Sequence, residues 1–209
     1  MSIAEFAYAQ ARLQARHGGR ADDATWRTLE ASHTAAHFLA MARSGPLAAW
    51  LDGLDEAGDA HRIERHLLAR WRRSVDEIAG WLPARWRPAL RWFGTLATLP
   101  QGDPARTGER ASAEWLERWR ELLPSDAGDR ALVQRPAVLL LPRLAGPGAG
   151  RPAADESGRH ALLALFRRHA GSAVAVFAYL ALAALDLERL RGGLVVRVLL
   201  EPSAGAPEA

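Results

Sequence analysis

The stretch "AVFAYLALAALDLERLRGG", residues 175–193, opens as an uncharged apolar run and closes in charge. Residues 170–185 are sixteen positions without a charged side chain, and Asp186, Glu188, Arg189 and Arg191 follow within six positions. Such a run either crosses a bilayer or fills the core of a helical protein. At about 1.5 Å per residue, sixteen helical residues span about 24 Å, short of the roughly 30 Å of hydrocarbon in a bilayer. Seven of the sixteen are alanine, so the run is only mildly apolar. Val174, Phe177, Leu180, Ala184 and Glu188 follow a helical course, with small residues between them that let neighbouring helices approach. The reading is a buried helix, and with it a mainly α chain organised as a multi-helix bundle of short antiparallel helices.

Working outward, residues 60–82 carry the strongest periodicity: Ile63, Leu67, Trp71, Val75, Ile78 and Leu82 recur at spacings of four or three, one buried stripe on a long helix. Toward the N-terminus, residues 2–17 read as a helix stopped at Gly18-Gly19. Asp22-Asp23 offers a cap for a short helix with Trp26 and Leu29, Ser32 a cap for the next, and Pro46 the first turn of a helix through Leu54. Trp86, Leu90, Phe93 and Ala97 mark another helix after Pro83, and Trp115, Trp119 and Leu122 one more. "RPAVLLLPRL" and "LVVRVLLEP" read differently. A short apolar core between Pro136 and Pro142 and a run after Gly192-Gly193 predict a small two-stranded β element, about 137–141 with 194–200. The expected domains are an N-terminal bundle over 1–99, a linker over 100–110, and a C-terminal helical region over 111–201. That region contains a flexible loop at 145–158, and a frayed tail follows at 202–209.

The chain has 209 residues, enough for a substantial core. All 27 basic side chains are arginine, yet the net charge is only +3, a weak argument for a nucleic-acid partner. The absence of cysteine excludes disulfides, zinc thiolate sites and thiol catalysis. The first residues have an early glutamate and no basic n-region, so a cytoplasmic location is expected. His33 and His37, four apart, could reach one metal from a single helix, but no third ligand is evident; two polar residues on a partly exposed helix is the plainer reading. No phosphate loop, nucleophile elbow or supported carboxylate pair is present, Asp155-Glu156 lying in a Gly/Pro loop. The sequence therefore reads as non-enzymatic, with no cofactor and no metal.

Between residues 62 and 91, arginines interleave with tryptophans. Arg62, Arg65, Arg70, Arg72, Arg73, Arg85, Arg87 and Arg91 form a candidate interaction surface, and a solvated face explains them equally. An arginine- and tryptophan-rich nucleic-acid-binding module is the alternative reading, although Trp71 and Trp86 fall on apolar stripes. An acidic protein or anionic headgroups would suit the same face.

The opening stretch carries a second signal. In it, Tyr179-Leu180 precedes an acidic residue, and Asp186, Leu190 and Arg191 occupy the acidic, leucine and arginine places of an "ExxNLR" pattern. "AYAQARLQARHGG" matches a "YAxARVRA" opening through Ala7, Tyr8, Ala11, Arg12, Leu13 and Ala15. "TLEASHTAAHFLAMARSGPLAAWL" has Ser44 and Leu47 where a short-helix module closes. In this order along residues 4–98 and 159–192, the chain resembles a shortened, divergent member of the C/d-subunit family of archaeal-type and vacuolar-type (V-type) rotary ATPases. The resemblance implies a non-catalytic cytoplasmic coupler, peripheral on the inner face of the membrane, with no transmembrane segment of its own. Its partners would be protein subunits of a membrane ion-transport complex: it would sit on the proteolipid ring and grip the central stalk, with neither nucleic acid nor a small-molecule substrate expected.

Overall fold

The computed structural model describes residues 5–54, 59–98, 107–144 and 152–200. Among them there is no strand. The helices are α1 (Ala7–Gly18), α2 (Asp23–Glu30), α3 (Ala35–Arg43), α4 (Ala48–Leu51), α5 (Ala60–Trp81) and α6 (Arg87–Gly94). After them come α7 (Thr107–Leu122), α8 (Arg130–Leu144), α9 (Pro152–Arg168) and α10 (Ala173–Leu200). The protein is mainly α, as the opening stretch predicts. Its described residues pack into two compact units, one drawn from 1–18 and 71–185, the other from 19–70 and 186–209. The expected division at 100–110 is therefore not the one that packing makes. A boundary read from a Gly/Pro-rich stretch reports local backbone preference, whereas a compact unit is defined by contacts distant in sequence.

In the first unit, every residue of α10 from Ala173 to Ala184 is buried. A helix apolar on all sides is stable in water only inside a core, and that is the role of the uncharged run. Phe177 lies at the centre of this core, 5.0 Å from the Trp119 ring, 5.2 Å from Phe93 and 6.2 Å from Trp86, with Phe6 5.7 Å beyond Trp86. Each such side chain contributes roughly 1.5–3 kcal/mol by leaving water. Two of the buried tryptophan nitrogens find partners here: Trp119 donates to the Ala89 carbonyl at 2.9 Å and Trp71 to the Gly94 carbonyl at 2.6 Å, while that of Trp86 has none among the described residues. Gly94 is required at that contact, because a Cβ there would stand 2.7 Å from a Val75 methyl.

In the second unit, α2 and α3 pack together, and the last part of α10 is bound to them. Asp22 caps α2 as its sequence suggests, accepting from the Thr25 backbone at 2.7 Å. The cap of α3 is Thr34 rather than Ser32, whose hydroxyl turns back to the Leu29 carbonyl. The helix expected from Pro46 to Leu54 shortens to the single turn of α4.

Two expectations are overturned. Residues 137–141 lie in α8 and 194–200 in α10, so the β element does not form. In α8, Val133, Ala137, Leu140 and Leu141 are buried at helical spacing, and that burial outweighs the penalty, about 3 kcal/mol, of an interior proline at Pro136. In α10, Gly193 does not break the helix because it fills a packing role: a Cβ there would stand 2.8 Å from the Phe38 ring. The flexible loop at 145–158 is also corrected. Residues 152–158, Asp155 and Glu156 among them, belong to α9, which starts on Pro152, a residue suited to a first helical turn. Residues 145–151 and the tail at 202–209 lie outside the described residues, as do 100–106 of the linker, while 107–110 are the start of α7.

Candidate interaction surface

In the first unit, α1 buries Ala9, Gln10 and Leu13, and Tyr8, Arg12 and Arg16, four residues apart, run along its flank. Ser74, Glu77 and Trp81 of α5 stand beside them. The Arg12 guanidinium donates to the Tyr8 hydroxyl and lies over two rings, 5.4 Å from the centre of Tyr8 and 4.8 Å from that of Trp81. Arg16 lies 4.6 Å from the centre of Trp81, pairs with Glu77 at 2.6 Å and donates to Ser74 at 3.5 Å. Two arginines are thus held against one indole. Tyr8 is 59% exposed, Arg12 is exposed, and Trp81 and Arg16 are partly so.

The eight arginines named from the sequence are not one free face. In the first unit, Arg85 pairs with Glu5 at 2.6 Å and Asp126 at 3.5 Å, Arg87 donates to the Leu82 carbonyl at 3.1 Å, and Arg91 pairs with Asp76 at 2.9 Å. Arg72 and Arg73 are exposed. In the second unit, Arg70 donates to the Ala49 carbonyl at 2.8 Å and meets Asp52 at 3.3 Å, while Arg62 and Arg65 are exposed. Trp71 and Trp86 are core residues, 1% and 0% exposed, out of reach for stacking on a ligand.

The positions singled out in the C-terminal helix serve to hold it. Tyr179 is buried 6.1 Å from the Phe166 ring in the first unit. In the second unit Asp186 is buried and accepts from Arg20 at 2.6–2.7 Å, Leu190 is fully buried, and Arg191 pairs with Glu188 at 3.2 Å and Glu64 at 3.5 Å. Arg189 grips both oxygens of Glu30 and covers the Trp26 ring at 4.8 Å; the hydrogen bond to Glu30 raises its already high pKa, so it stays charged. Arg197 donates to the carbonyls of Glu30 and Ser32, where the end of α2 presents acceptors, and lies 4.7 Å from the Phe38 ring.

His33 and His37 do not share a helix. His33 precedes the cap Thr34, which accepts from the His37 backbone at 3.2 Å, so the geometry assumed for a two-histidine metal site is absent. Among the described residues no group of three His, Cys, Asp or Glu is placed to hold a metal. Nor is any helix among them long and apolar enough to cross a membrane.

The sequence alone does not single out Arg16 and Trp81. The signal for Trp81 is its place one residue off the stripe that ends at Leu82, which marks an indole that the core does not take. Arg16 repeats the four-residue spacing of Tyr8 and Arg12. No family model, curated protein or solved structure matches this chain.

Proposed function

We propose that the chain is a non-catalytic helical assembly or coupling subunit of a membrane-associated complex, similar to the C/d-subunit family of rotary ATPases and peripheral on the cytoplasmic face. The support is the ordered set of family-type positions together with what those positions do. Asp186, Leu190 and Arg191 lock a helix into its unit, and Tyr8 and Arg12 face outward on another. The observation that carries the reading is the second half of α10. There Arg189, Arg191 and Arg197 each make two or more polar contacts within one unit, as a part that bears load through packed surfaces requires. Work of this kind is contact, and it asks no chemistry of the chain.

The test is affinity isolation of the tagged full chain from gently solubilised native membranes. Recovery of proteolipid-ring and central-stalk subunits is the expected result, and recovery of no membrane-complex subunit overturns the reading. A parallel titration with single-stranded and duplex DNA at two salt concentrations addresses the nucleic-acid alternative, since phosphate binding weakens steeply with salt.

A further inference from the structure

We infer that Tyr8, Arg12, Arg16 and Trp81 form a docking patch for an acidic protein segment, one that presents an aspartate or glutamate beside apolar side chains. The inference takes from the coupling reading only that the chain works by contact with other proteins. Tyrosine, tryptophan and arginine side by side on a surface are the residues that dominate binding energy at protein interfaces. Tyr8 is 59% exposed, an unusual position for an aromatic ring with so much core available to it. Yet the group is not loose. Arg12 is fixed by the Tyr8 hydroxyl and two rings, and Arg16 by Trp81, Glu77 and Ser74. A guanidinium already fixed by two rings and a hydroxyl loses little further freedom on binding, and its N–H donors suit a carboxylate.

Charge selects the partner class. Arg16 is neutralised by Glu77 at 2.6 Å, whereas the described contacts of Arg12 are with rings and a hydroxyl and include no carboxylate. One uncompensated cation flanked by two aromatic rings suits one carboxylate with apolar neighbours. A phosphate backbone or an anionic bilayer would call for several uncompensated cations, and this patch holds one.

A photoreactive p-benzoylphenylalanine in place of Ala15, exposed on the Arg12 side of α1, tests this in cells on the full chain, with the same residue at exposed Ala131 as control. Crosslinked peptides are mapped by mass spectrometry. The expected result is crosslinking at position 15, above the control, to a protein segment carrying aspartate or glutamate next to apolar residues. The yield should fall at least tenfold with Arg12→Glu and also with Tyr8→Ala, both at exposed positions and both checked for an unchanged thermal melt. No crosslink above the control overturns the proposal, as does a crosslink to nucleic acid, to lipid or to a segment without acidic residues, or one that persists in both variants. If the captured acidic segment belongs to no membrane complex, the patch stands and the coupling reading fails. If membrane subunits co-purify undiminished with Arg12→Glu and no crosslink forms, the reverse holds.

Discussion

Arg20 and Asp186, 166 residues apart in sequence, meet as a buried ion pair at 2.6 Å, with side chains only 10% and 5% exposed. The pair fixes the point where the apolar run of α10 gives way to charge. It accounts for an acidic side chain directly after sixteen uncharged residues. A buried charge persists only with a partner, and the partner comes from the segment between α1 and α2.

Asp186→Asn should therefore destabilise the protein by about 3–5 kcal/mol, since it removes the carboxylate that the buried Arg20 guanidinium faces. Replacing both residues by leucine should recover most of that loss. Chemical denaturation of the three proteins measures it; a single variant within 1 kcal/mol or so of the parent would contradict the burial argument.

Gly193→Ala should cost about 1–3 kcal/mol, because the added methyl meets the Phe38 ring at 2.8 Å. Phe38→Leu in the same chain should return part of it by vacating the space. If the two changes prove additive in a double-mutant cycle, the close approach is not what Gly193 provides.

Trp71→Phe should cost at least about 0.5–1.5 kcal/mol, because it removes the buried hydrogen bond that the indole N–H donates to the Gly94 carbonyl at 2.6 Å. The midpoint of urea unfolding should fall with an unchanged slope, and a neutral substitution would show that this bond carries no weight.

The Asp22 carboxyl is held below the ordinary aspartate value of 3.8 by the Thr25 hydroxyl and the Thr25 backbone N–H. Its pKa is lower folded than unfolded, so the capping contribution is present above that ordinary value and is lost as pH falls through the depressed one. Asp22→Asn keeps an acceptor without titrating. Comparing the acid limbs of the two proteins' stability curves should show an extra loss in the parent that the variant lacks, and identical limbs would contradict it.

Much of this arrangement is legible in the sequence wherever a local period reports burial. The stripe from Ile63 to Leu82 is buried at each of its six positions, and Phe177 and its neighbours fill a core as the length of the run requires. Legibility ends where distant contacts overrule local preference. Pro136 and Gly193 look like breaks, but apolar packing around one and the Phe38 ring against the other keep both inside helices. The arginines from Arg62 to Arg91 are readable as a series and not as a surface, because carboxylates and carbonyls such as Glu5 and Leu82 take several of them. Tyr8 and Arg12 are visible, yet their neighbour Trp81 is far along the chain, and no periodicity within α1 points to it.

The proposed role as a contact-making part of a membrane complex is decided by native mass spectrometry of the complex isolated through the tagged full chain. The predicted result is an assembly holding a fixed number of copies of this chain together with proteolipid-ring and central-stalk subunits. Finding the chain alone, or bound only to nucleic acid, would contradict it.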